Sequence, residues 1–102
     1  MDDYVKRIFL SGALKFMILR ELIKFQPLSG YRILINIREK IGDLDAGSFY
    51  HSLKSLENRD LVLKAETEKK GAYNYTLTEK GRNFYETYIR LFYAIGGRFE
   101  ED

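Results

Sequence analysis

The chain has 102 residues, 45% hydrophobic and 31% charged, with a formal net charge of +2 and no cysteine. Such a length supports about one domain around one core, and the composition is that of a folded chain rather than a disordered or fibrous one. The lack of cysteine excludes disulfides and thiolate metal sites, and no apolar run reaches the roughly 20 residues that a bilayer span needs.

Residues 1–10 read as an N-terminal helix, with Tyr4, Val5, Ile8 and Phe9 at helical spacing. Asp2 and Asp3 stand where an export signal would carry basic residues, so a cytoplasmic setting is expected. A second periodic stretch, 12–25, places Leu14, Met17, Ile18, Leu22 and Phe25 on one face. Pro27 disfavours helical geometry at Gln26 and ends that stretch. Ser29 is placed to cap the next helix, which runs to about Ile41 on the repeat Leu34, Ile37, Ile41 and stops at Gly42. Asp45 is a candidate cap for a third helix over about 46–59, in which Phe49, Leu53 and Leu56 follow i, i+4, i+7 spacing. At about 100° per residue from that face, His51, Lys54, Ser55 and Asn58 project away from the core, with Gly47 and Ser48 on the exposed first turn.

After Asp60 the period becomes extended, and 61–67 with 72–77 read as a two-stranded hairpin whose tip carries Lys69, Lys70 and Gly71. Thr78 can cap a last helix with Glu79 in its first turn, running to about Ile95 before Gly96 and Gly97. Tyr31, Tyr50 and Tyr75 read as core aromatics with their hydroxyls at the edge. The fold expected is mainly α with a small β-hairpin, in one domain over 1–102: an N-terminal helix (1–10), a core (11–77), a last helix (78–97) and an acidic tail (98–102).

Five short patches stand out along the chain: Leu14 to Leu19, Pro27 to Tyr31, Ala46 to Tyr50, Leu53 to Val62, and Leu77 to Gly81. Their joint order and spacing resemble the PadR-like family of winged helix-turn-helix transcriptional regulators. Ser29 stands where that family usually has His, and Ala46 where it usually has Pro. The hairpin also lacks the family's frequent Arg and Pro near its tip. Ser29 can still cap a helix and Ala46 suits a first helical turn. The resemblance implies a recognition helix in the major groove of double-stranded DNA, a wing over the backbone, and a dimer that meets a pseudo-palindromic site.

The residues themselves support that assignment. Gly47 and Ser48 can approach phosphate at a helix N-terminus, while His51, Lys54, Ser55 and Asn58 can meet base edges or phosphates. Ser29, Arg32, Lys69 and Lys70 are candidate backbone contacts. The plain alternative is a solvated helix face and a solvated hairpin tip, where Glu66 and Glu68 nearly cancel the two lysines.

A ridge of Phe84, Tyr88, Leu91 and Ile95, widened by Tyr85, Ile89, Phe92 and Tyr93, covers more than half of the last helix. Eight of the 15 Phe and Tyr residues lie in 1–10 and 78–102, more aromatic surface than one small body can cover. A homodimer is therefore expected. The N-terminal helix (Tyr4, Val5, Ile8, Phe9) of one subunit would pack on the dimerisation helix (Phe84, Tyr85, Tyr88, Leu91, Phe92, Ile95) of the other. The resemblance also allows a small aromatic effector between subunits, although nothing polar there specifies one. No metal-ligand cluster, nucleophile–base pair or glycine-rich phosphate loop is present, so neither a cofactor nor an enzymatic activity is expected. A non-specific architectural DNA binder and a winged-helix protein-interaction module are the competing readings.

Overall fold

A computed structural model describes residues 3–97, with side chains described from 12 to 97. The elements follow in the order α1 (Asp3–Phe25), α2 (Gly30–Ile41), α3 (Ala46–Asn58), β1 (Val62–Glu66), β2 (Tyr73–Leu77) and α4 (Glu79–Ala94). Four helices and a two-stranded antiparallel hairpin thus give the mainly helical winged-helix architecture.

Three short side chains set where helices begin. Ser29 Oγ accepts from the Arg32 amide at 3.1 Å, the Asp45 carboxylate from the Ser48 amide at 2.7 Å, and Thr78 Oγ1 from the Gly81 amide at 2.9 Å. Each satisfies an amide that has no partner inside its helix, a contribution of about 1 kcal/mol. Gly42 closes α2 with φ 82°, a left-handed conformation that suits a residue without Cβ.

The two N-terminal stretches separated in the sequence reading form one continuous helix. Gly12 costs about 1 kcal/mol relative to alanine in a helix interior. Packing of the buried Leu14, Phe16, Ile18, Leu19 and Leu22 outweighs that cost. The side chains of Tyr4, Val5, Ile8 and Phe9, and the tail 98–102, lie outside the described residues.

Those α1 residues meet Ile33, Leu34 and Ile37 of α2, Phe49, Leu53 and Leu56 of α3, and Leu61, Val62 and Tyr75 of the hairpin in one core. The hairpin pairs from Val62↔Leu77 to Glu66↔Tyr73. Leu28 adds a one-residue bridge to Tyr75, with N–H···O distances of 3.2 and 2.7 Å, and Gln26 Oε1 accepts from the Leu77 amide at 2.7 Å. The α1–α2 connection is thereby stitched to the base of the hairpin.

Helix α4 returns across α1 on aromatic stacking. The Phe16 ring lies 4.9 Å from Tyr85 and 4.4 Å from Tyr88, nearly parallel to both. Tyr85, assigned to the dimer interface from sequence, is buried within one chain by this stack and offers little surface to a partner. The tyrosines also divide differently from the sequence reading. Tyr75 is buried, but Tyr31 and Tyr50 are 63% and 43% exposed. Each follows a buried residue, Gly30 or Phe49, by one position, and a step of about 100° carries it off the core stripe to the flank.

Candidate nucleic-acid interface

The turn before α3 is held by Arg38, whose Nε and Nη2 donate to the Leu44 carbonyl at 3.1 and 2.7 Å. Gly30 lets the first turn of α2 approach α3. A Cβ at that position would lie 3.2 Å from Tyr50 Cε1 and 3.3 Å from Leu53 Cδ2. Asp45 then starts α3, and the Ser48 amide bonded to its carboxylate holds its pKa below the usual value, helped by the Ser48 hydroxyl and Arg38.

With Phe49, Leu53 and Leu56 buried, α3 turns its other side to solvent. Gly47, Ser48, His51, Lys54 and Asn58 are exposed there, and Ser55 is half-buried at the margin. Lys54 Nζ lies 3.3 Å from Glu57 Oε1, an exposed pair of small worth that Lys54 can leave for a phosphate. The side chains of His51 and Asn58 form no hydrogen bond among the described residues, so their donors and acceptors are available.

Ser29 and Arg32 open α2, beside the Gly30 contact with α3. Arg32 is exposed, whereas the Ser29 oxygen is engaged as the cap. Lys69 and Lys70 sit at the hairpin tip, beyond the end of a paired strand roughly 14 Å long, four residue steps from Val62 to Glu66. The loop is closed by Thr67 N–H to Ala72 O at 2.8 Å and by Gly71 N–H to Glu66 Oε2 at 3.1 Å. Glu66 is therefore turned onto the loop backbone, and among the described residues neither lysine forms an ion pair.

Sequence reasoning missed two parts of this surface. Lys64 Nζ lies 4.5 Å from the Tyr73 ring centroid, a diagonal pair across the Lys64↔Tyr75 register that fixes a cation on the strand. Tyr50 is the other. Its one-residue offset from Phe49 was the available signal.

On α4, the ridge residues Phe84, Leu91 and Ile95 are exposed, with Ile95 at 85%, while Tyr88 and Phe92 are half-buried. Between α1 and α2 an open groove of about 760 Å³ includes Glu21, Lys24, Arg32 and Lys40. Glu21 is 2% exposed and receives Lys40 Nζ at 2.8 Å. Among the described residues no His, Asp and Glu cluster could hold a metal ion, and no helix is long and apolar enough to cross a membrane.

Comparison with known proteins gives a consistent assignment. The profile of the transcriptional regulator PadR-like family matches residues 18–87. The fold is similar to TA0346 of Thermoplasma acidophilum, described as a transcriptional regulator, at 32% identity and a TM-score of 0.70, covering 87% of this chain and 89% of that one. A PadR family transcription regulator of Clostridium difficile R20291 matches at 25% identity and a TM-score of 0.68, over 82% of this chain and 91% of that one. A PadR-like transcription factor of Bacteroides fragilis matches at 26% identity and a TM-score of 0.76, over 91% and 92%. No curated protein sequence matches the chain. The winged-helix fold, the uncovered polar face of α3 and a match spanning most of the chain place it in the PadR-like family of transcriptional regulators.

Proposed function

We propose that this chain is a homodimeric regulator in the cytoplasm that binds a two-fold symmetric site on double-stranded DNA and represses by occlusion. Helix α3 would enter the major groove and the hairpin would lie along the backbone. The observation that carries the reading is the outward face of α3, where Lys54, His51 and Asn58 are exposed around a first turn of Gly47 and Ser48. Gly47 and Ser48 suit close approach to a phosphate, while His51, Ser55 and Asn58 suit base edges. Arg32, Lys69 and Lys70, with Ser29 beside Arg32, supply backbone contacts.

The uncovered ridge of Phe84, Leu91 and Ile95 supports the dimer, because a symmetric copy is the simplest cover for such a surface. Two copies on one face of a duplex would read half-sites about 34 Å apart or a multiple of that. Lys54→Ala tests the assignment of α3. It should weaken duplex binding about 3–10-fold per half-site and lower the slope of log affinity against log salt by about 2 for the dimer, one phosphate contact in each subunit. Unchanged affinity would remove α3 from the interface. A wild-type protein that binds no duplex even at about 50 mM salt would instead be a protein-interaction module.

A further inference from the structure

Tyr50 places a large apolar group among the polar residues of α3. It stands about 100° round the helix from Phe49, next to Lys54 at about 140°, and so borders the proposed reading face. Its ring is held from two sides. It meets Phe49 edge-on with centroids 5.0 Å apart, and it covers Gly30 so closely that a Cβ there would lie 3.2 Å from Cε1. The outer part of the ring is still open, at 43% exposure for the residue.

An aromatic ring already fixed in place loses little conformational freedom when it meets a partner. In the major groove the apolar group that a base pair offers is the C5-methyl of thymine, which is read by apolar contact, and Tyr50 is the exposed aromatic ring on α3. We propose that Tyr50 is a specificity-determining residue whose ring packs on the methyl of one T·A pair in each half-site. The inference rests on the DNA-binding reading above and adds a base preference to it.

The test uses full-length protein and a bound duplex, with each thymine in turn replaced by deoxyuridine, which removes only the methyl. One position per half-site should cost the wild type about 3–5-fold in affinity, the effect of uncovering about one methyl group. Tyr50→Phe should show the same loss, since it keeps the ring. Tyr50→Ala should show none at that position, having already lost the contact. Tyr50→Gln, which retains a stem over Gly30, serves if the alanine variant melts early. Equal losses in ringed and ringless variants, or no sensitive thymine in the wild type, would overturn the proposal while leaving the DNA-binding reading intact. A folded wild type that binds no duplex would defeat that reading itself.

Discussion

Replacing Gly81 by alanine should destabilise the protein by about 2–4 kcal/mol, whereas the same replacement at Gly12 should stabilise it by about 0.5–1 kcal/mol. Both glycines lie inside helices, where alanine is favoured by about 1 kcal/mol. Nothing lies within 4 Å of a Cβ built at Gly12. At Gly81 the added carbon would strike the Leu61 carbonyl oxygen and sit 2.9 Å from its carbon. That neighbour is backbone and cannot swing aside, so the first turn of α4 must move. The same oxygen accepts from the Thr78 amide at 3.2 Å, the Thr78 hydroxyl donates to the adjoining Asp60 carbonyl at 2.6 Å, and Thr78 is the cap of α4. Overpacking of about 1–3 kcal/mol plus about 1 kcal/mol for each weakened hydrogen bond exceeds the helix-propensity gain. Urea unfolding at fixed protein concentration measures both variants, and an unchanged m-value keeps the comparison valid. A neutral or stabilising Gly81→Ala would refute the claim that α4 is docked by this close approach.

If the proposed dimer forms through α4, Leu91→Glu should give a monomer in sedimentation at micromolar concentration where the wild type sediments as a dimer, with the helix content unchanged, because Leu91 is 64% exposed in the single chain. An unchanged mass would take α4 out of the interface. For Asp45, the lowered carboxyl pKa means that its stabilising effect is present above the unfolded value of 3.8 and is lost as pH falls through the folded value. Asp45→Ala should therefore lower the urea midpoint at pH 7, with the gap to wild type closing as the pH is taken below about 4. A gap of constant size would mean that the carboxylate charge does not matter.

The helix starts were legible in sequence because capping is local: Ser29, Asp45 and Thr78 each bond within three residues. The α3 stripe was legible because Phe49, Leu53 and Leu56 repeat at helical spacing. Contacts between distant residues left no such signal. Leu28 joins the sheet as one residue, too short for a period of two to be seen, and Lys40 meets Glu21 across 19 positions. The aromatic face of α4 was read as one surface, but Phe16 divides it by covering Tyr85 and leaving Leu91 and Ile95 open. Continuity through Gly12 was hidden for a related reason: local propensity argues for a break, and packing along α1 overrides it. For the candidate interface, periodicity was enough to select the outward residues of α3 and, through the one-residue offset from Phe49, the flank position of Tyr50, while the contact that partly covers its ring at Gly30 of α2 left no local signal.

The most direct test of the central claim is anisotropy titration of a random-sequence duplex pool between about 50 and 200 mM salt, with the retained fraction sequenced. A steep salt dependence and an enriched two-fold symmetric motif are the expected result. Salt-dependent binding with no enriched motif would contradict sequence-specific regulation and indicate an architectural DNA binder.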